Sequence, residues 1–494
     1  LTQIRLIMKL KNLKYLFLSM TLIVFNSCEE DDDSIPYTEQ FVEITSGSAD
    51  FTNMVSIGAS ITAGVTDGSL FFEGQRNSYP NIMAGVMSQS IDNTSPANFT
   101  QPYIDDNIGG LLFGGVQIAG PRLFFNGAGP QSLGDLGATP TTELLNSVPG
   151  PYSNMGVGGL QAIHAIAPGY GNIAGVATGT ANPYAVRVMS SPGSSIVQDV
   201  LAQSPTFVSL WSGGNDALGY ATSGGTGTLT SSADFDFAFG TTMGALAQIP
   251  GGIVANVPDV TAIAYLNTIP YNAVPLDAAT ADLLNGGFAA YNGGLAVAQA
   301  FGLISADEVA ARTVFYAPGQ NAMLMEDEDL TDLSALGLPS WRQTTMNDKI
   351  VLPAIGLIGT TVGGDPTQIN GVSVPLADNI VLSANEIAET QARTAEFNAT
   401  IEALTSQAGW AYFDSNALLN QAVSTGVAFD DYLMNGDLVF GGLFSLDGVH
   451  PTARGNALIA NKMMEAIDAH YGSNLSDAAV KAGDYPTNYS PTLR

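Results

Sequence analysis

Short apolar segments rich in β-formers recur along this chain, and helical patterns separate them. They are Asn53–Ile57, Phe207–Trp211, Ile253–Val257 and Trp410–Phe413. Ser195-Ile-Val-Gln198 reads as a capping box ahead of Val200 and Leu201. Ser232 precedes a helical run to Ile249, with Phe235, Phe239, Met243 and Leu246 at helical spacing. Ser383-Ala-Asn-Glu386 caps a segment running to about Gln407, and a last helix covers Ala453 to His470. Strands that alternate with helices predict an α/β fold, a parallel sheet with helices on both faces.

Two stretches break the alternation. Residues 66–150 are rich in Gly, Pro, Asn and Phe, and residues 260–382 combine a helical part (Ala278 to Ala300) with an apolar Gly/Pro-rich part (Ile350 to Val381). Both carry many apolar residues, so they are expected as insertions packed over one core, with the main domain spanning 51–475 and a tail at 476–494. The 55 glycines among 494 residues predict many turns. Only 12% of residues are charged, about half the usual share, and 46% are hydrophobic, so the chain has material for a large core.

The charge balance excludes some partners. There are 15 Lys+Arg against 45 Asp+Glu, for a net charge of −30. Such a chain repels polyanions, so no nucleic-acid partner is expected. Three histidines and one cysteine leave no room for a Cys/His zinc site or an internal disulfide. No metal or other cofactor is expected.

The single cysteine closes an export-type leader. Lys9, Lys11 and Lys14 precede an apolar run from Tyr15 to Phe25, which is short for a membrane span, and Ser27 then meets Cys28. Met8 reads as the start, with residues 1–7 as upstream read-through. The segment resembles a bacterial lipobox, which implies residues 1–27 as signal and Cys28 as the lipidated first residue; Phe25 departs from the commoner Leu. The alternative is an ordinary secretory signal with an incidental cysteine. Glu29 to Asp33 are five consecutive acids that self-repel and read as a solvated tether, placed at 28–50. They resemble the surface-export signals of Bacteroidota lipoproteins, which implies a protein anchored to the outer membrane through lipid at Cys28.

Four motifs carry the chemistry. Gly58-Ala-Ser60-Ile-Thr-Ala-Gly64 follows the first strand, and Asn154-Met-Gly-Val-Gly-Gly159 opens a loop. Gly213-Gly-Asn215-Asp216 ends the strand Phe207–Trp211, and Asp447-Gly-Val-His450-Pro451 precedes the last helix. In a parallel sheet the crevice lies outside the carboxyl ends of the strands, where the first three motifs are expected. A serine hydroxyl needs a base to become a nucleophile. Ser60 supplies the hydroxyl, His450 the base, and Asp447 folds back to fix the imidazole tautomer. A developing oxyanion needs preorganised donors, for which the Ser60 N–H, the Gly159 N–H and the Asn215 amide are the candidates, with Gly158 competing for the Gly159 role. Asp216 reads as a structural hydrogen-bonding partner, His164 and His470 as packed or solvated, and Trp211 as a strand-core residue or pocket floor.

Ser60, Gly159, Asn215 and His450 in this order resemble the SGNH hydrolase, or GDSL lipase/esterase, superfamily. Its Gly-Asp-Ser-Leu appears as Gly58-Ala59-Ser60-Ile61, with Ala59 in place of the Asp. The resemblance covers roughly residues 50–65, 150–258 and 385–470. It implies a three-layer flavodoxin-like fold and metal-free ester hydrolysis through Ser60, His450 and Asp447. The expected substrate is a small-molecule, lipid or acylated-glycan ester. Phe71, Phe72, Phe113, Phe124 and Phe125 could line an apolar acyl cleft, or form the core of their own insertion. A polysaccharide O-acetylesterase and a non-catalytic glycan- or lipid-binding lipoprotein are the alternatives.

Overall fold

The computed structural model describes residues 43–92, 95–96 and 98–494. The signal segment, Cys28 and the acidic run after it lie outside the described residues. Five strands form the central sheet: β1 (Met54–Gly58), β2 (Asn154–Gly156), β3 (Phe207–Trp211), β4 (Gly251–Ala255) and β5 (Ala411–Phe413). Their order is β5-β4-β3-β1-β2, and every pairing is parallel. This is the flavodoxin-like doubly wound order. β1, β3 and β4 are buried along their whole length, because helices cover both sheet faces.

The helices that cover the sheet or pack beside it include α1 (Ser60–Ala63), α2 (Tyr79–Met87), α3 (Ala162–Ile166), α4 (Ile196–Ala202), α5 (Asn215–Thr222), α6 (Ser232–Leu246), α7 (Ala278–Ala300, in the second insertion), α8 (Ala384–Ala408), α9 (Ser415–Ser424) and α10 (Ala453–Tyr471). One layer packs α3 and α4 on α6, and α6 on α8. Its centre is the Phe235–Phe397 stack, with ring centroids 4.1 Å apart. The opposite layer packs α2 against α10. Both expected capping boxes form, Ser195 with Gln198 and Ser383 with Glu386. Among the described residues no helix is long and apolar enough to cross a membrane.

Helix α2 falls within the stretch 66–150 yet belongs to the core, since Ile82, Met83, Val86 and Met87 are buried there. The other described residues of that stretch include a short helix, Phe72–Arg76, and two short hairpins, Leu111–Phe113 with Val116–Ala119 and Leu123–Phe125 with Pro130–Ser132. Arg122 ties it to the chain end. Its buried guanidinium donates to the carbonyls of Asn107, Leu123, Tyr489, Ser490 and Leu493. In the second stretch α7 shares the main core through Phe288 and Leu295, and Arg342 is paired with Asp348 at 2.7 Å and with Asp327.

The turn from β1 into α1 leaves no space for a side chain at Gly58. A Cβ there would lie 2.1 Å from Thr62 Oγ1 and 2.5 Å from the Trp211 carbonyl. Gly58→Ala should therefore push β1 off β3 and cost at least about 1–3 kcal/mol. A urea midpoint equal to that of the parent would refute this account of the turn.

Candidate active site

The sheet order reverses between β1 and β3, so the crevice opens at their carboxyl ends. Ser60 begins α1 two residues beyond β1, and Asn215 begins α5 four residues beyond β3. The last loop brings in His450 just ahead of α10, whose first turn is capped by the Thr452 hydroxyl on the Gly455 N–H. Ser60, His450 and Asp447 form one hydrogen-bonded chain. His450 Nε2 lies 2.8 Å from Ser60 Oγ, and His450 Nδ1 lies 2.8 Å from Asp447 Oδ2.

Asp447 is held from several sides. Its Oδ1 accepts the N–H groups of Val449 and His450, both at 2.8 Å, and its Oδ2 also accepts the Gly68 N–H at 2.7 Å. Burial alone would raise this carboxyl. The His450 ring and the hydrogen bonds from His450 and Val449 outweigh it and hold the group at about 2. It is therefore a carboxylate at neutral pH, and the hydrogen bond it accepts puts the proton of a neutral imidazole on Nδ1. Nε2 is then free to accept the Ser60 proton, which is the requirement for a general base.

The α1 helix has no side-chain cap, and no protein acceptor takes the Ser60 N–H among the described residues. Beyond β2, the Val157 N–H bonds the Gly58 carbonyl at 2.9 Å, so the Gly158–Gly159 turn is fixed beside β1. Asn182 holds that turn by donating to the Gly158 carbonyl at 2.8 Å. Gly159 sits at φ +81°, a conformation that L side chains avoid, and its N–H is also untaken among the described residues. The Asn215 amide donates one N–H to the Leu160 carbonyl at 2.9 Å. Its second N–H remains, and Asn215 lines the same cleft as Ser60 and His450.

The other polar candidates sit elsewhere. Asp216 is buried and accepts the Ala162 N–H at 2.8 Å, tying α5 to α3. Burial pushes it up to about 6. His164 stacks on Tyr170 with 4.3 Å between ring centroids and accepts the Gln161 N–H. His470 meets the Gly409 carbonyl at 2.8 Å. Trp211 lines the cleft from the end of β3.

The five phenylalanines considered for an acyl cleft do not line it. Phe71 packs on Ala453 and Tyr489, Phe72 on Tyr103, and Phe124 with Leu133 and Ala138. Phe125 meets Phe440, and Phe113 lies in the outer hairpin. The apolar wall comes instead from Ile61 of α1, Trp211 at the end of β3, Leu218 of α5, and Pro258, Val260 and Ile263 of the loop after β4.

Asp67 has no counterpart in the sequence reading. It is buried at 1% exposure with φ +51°, its N–H bonds Ser445 Oγ at 2.9 Å, and its Oδ1 accepts the Leu446 N–H at 3.1 Å. It thus pins the loop that carries Asp447 and His450. Its Oδ2 is buried with no hydrogen-bond partner among the described residues. Burial pushes the carboxyl up to about 7; the Leu446 N–H opposes this and the Asp447 charge adds to it. The Asp67-Gly68 turn signal was visible, but its partners lie almost four hundred residues away.

No family model and no curated protein matches the chain. Among solved structures it is similar to Axe2, an acetylxylan esterase from Geobacillus stearothermophilus. Identity is 9%, with 86% of this chain and 98% of that one covered and a TM-score of 0.32. It is also similar to BT4096, a gut microbial diltiazem-metabolizing enzyme, at 9% identity over 85% of this chain and 49% of that one, with a TM-score of 0.26. The fold and site described above rest on this chain's own residues.

The two buried acids next to the histidine loop give opposite pH dependences. Asp447 is depressed, so its contribution to stability is present above about 4 and is lost as pH falls toward 2. Asp67 is raised from 3.8 to about 7, so between those values the folded chain keeps a proton that the unfolded chain has released. Stability from this group falls as pH rises through that window. Asp67→Asn keeps an acceptor for Leu446 and stays neutral. The parent's loss of stability between pH 5 and 7.5 should become shallower in this variant, by on the order of a few kcal/mol at most. Urea midpoints at the two pH values measure it, and an equal drop in both proteins would refute it.

Proposed function

We propose that this protein is a serine ester hydrolase of the SGNH type, with Ser60 as nucleophile, His450 as general base and acid, and Asp447 as the group that orients His450. The continuous chain Ser60 Oγ–His450 Nε2 and His450 Nδ1–Asp447, at 2.8 Å on both sides of the ring, carries the reading. Ser60 Oγ attacks the ester carbonyl carbon as its proton passes to Nε2. The tetrahedral species collapses, the carbon–oxygen bond breaks, and His450 returns the proton to the departing alcohol. Water then repeats the two proton transfers in reverse and frees the acid and Ser60. The Ser60 N–H, the Gly159 N–H and the free Asn215 amide hydrogen are the donors assigned to the oxyanion. The same proposal keeps Cys28 as a lipid anchor, which would put the reaction on the outer face of a bacterial envelope.

A second reading, deacylation of a polysaccharide, draws on the space beside the cleft. A polar cavity of about 780 Å³ is lined by Asp259, Thr261, Asn267, Lys349, Gln391 and Asn435, among others. Its Asp259 is the chain neighbour of Pro258, which lines the cleft, so a glycan alcohol could lie there.

Ser60→Ala and His450→Ala should each nearly abolish turnover of a p-nitrophenyl ester, and the double variant should be little worse, because the residues act as a unit. A fluorophosphonate should label the parent and not Ser60→Ala. A folded His450→Ala protein with near-parent kcat would remove the triad. Asn215→Ala should lower kcat about 10²–10³-fold with little change in KM. A change confined to KM would place Asn215 in ground-state binding instead.

A further inference from the structure

Two cavities adjoin at Ile61, the residue after the proposed nucleophile. The first, about 70 Å³, contains Ser60, Asn215 and His450 on its polar side. The second, about 80 Å³, touches none of those three and is lined by Phe413, Leu418, Leu419, Leu443, Phe444 and Ile459, among others. Ile61, Trp211, Pro258, Ile263 and Val449 line both. A water needs only about 10–15 Å³, so the second chamber has room for several atoms. Among the described residues its lining has one hydroxyl, that of Ser415, which is turned to the Asn256 carbonyl at 2.6 Å. A chamber of this chemistry holds hydrocarbon rather than water.

We infer that the two cavities form one acyl channel, with the five shared side chains as its neck, and that the protein acts on esters of unbranched acyl chains longer than acetyl. This inference rests on the hydrolase reading. The order of events selects the acyl group over the alcohol as occupant. The alcohol leaves in the first half of the reaction and must reach water, which an apolar chamber opposes. The acyl group remains bonded to Ser60 Oγ until the second half, and an apolar sleeve holds its chain in place meanwhile. The chamber lies between β5, α9 and α10, so its depth is set by Leu418 and Leu419 of α9 and by Ile459 of α10.

Kinetics on p-nitrophenyl esters from acetyl to decanoyl test it in the full chain. In the parent, kcat/KM should rise roughly fourfold for each methylene buried and level off once the chamber is filled. Leu418 is half-buried, so a larger ring has room to settle. Leu418→Trp should lower the hexanoyl-to-acetyl ratio of kcat/KM by tenfold or more. Leu418→Ala should move the preferred length up by one or two carbons. The ratio is internal to each variant, so partial loss of folded protein leaves it intact. Alkyl acetates from methyl to hexyl should show no length dependence that either variant alters. Hydrolysis of acetyl esters with a flat acyl profile, or with profiles identical in parent and both variants, would overturn the channel and leave the hydrolase reading standing. A shift of the alkyl series in its place would assign the chamber to the alcohol and overturn the proposal. Failure of every ester would overturn the hydrolase reading, and the channel with it.

Discussion

The Asp447 carboxylate is the joint on which the site depends. Four N–H donors converge on its two oxygens: Gly68 from the turn after α1, the Val449 and His450 amides from its own loop, and the His450 ring. A half-satisfied buried carboxylate would take up a proton; a fully satisfied one stays ionised and fixes its donors. Ionisation also orients the imidazole, since only a carboxylate accepts from Nδ1 as well as from the backbone. The Gly68 bond joins the start of the fold to its end, because β1 and α1 lead into that turn while the loop belongs to α10. The distance from Ser60 to His450 is thereby set from both directions.

Asp67 works against Asp447 electrostatically while holding it mechanically. Its backbone N–H and its Oδ1 secure Ser445 and Leu446, the two residues ahead of Asp447. A second charge so near would weaken the first, and burial keeps Asp67 protonated well above the ordinary carboxyl range. A protonated acid beside an ionised one avoids a second buried charge next to Asp447. The positive φ at Asp67 is the conformational cost of turning its carboxyl inward.

The features legible in the sequence are those whose physics is local. Ser195 with Gln198 and Ser383 with Glu386 satisfy helix ends three residues apart, and the long apolar strands need no partner to be recognised. In sequence, Asn154-Met-Gly156 reads as the opening of a loop, because β2 is three residues long and holds one apolar side chain. It is a strand because Ser56, Ile57 and Gly58 offer it an unpaired edge. The phenylalanines of residues 71–125 are apolar in any reading, but composition does not say which core each joins. Tyr489 and Phe440 claim Phe71 and Phe125 from distant segments, while Phe124 joins Leu133 and Ala138 in a core of its own insertion. Asp67 was invisible for the same reason, since its role is defined by residues 445–447.

The loop between β4 and the helical turn at Ala264–Asn267 sorts polar from apolar surroundings residue by residue. Pro258, Val260 and Ile263 line the cleft that holds Ser60, while Asp259, Thr261 and Ala262 line the large polar cavity. The sorting is enforced from the polar side. Asp259 Oδ1 accepts both the N–H and the hydroxyl of Thr261, and Asp259 Oδ2 accepts the Gln391 amide of α8 at 3.0 Å. Those bonds satisfy the Asp259 carboxylate and the Thr261 hydroxyl without any contribution from the cleft, to which Pro258, Val260 and Ile263 present hydrocarbon. A single pinned loop of six residues thereby supplies apolar wall to the cleft that holds Ser60 and polar wall to the large cavity. Any change in how Gln391 holds Asp259 would therefore reach both environments at once.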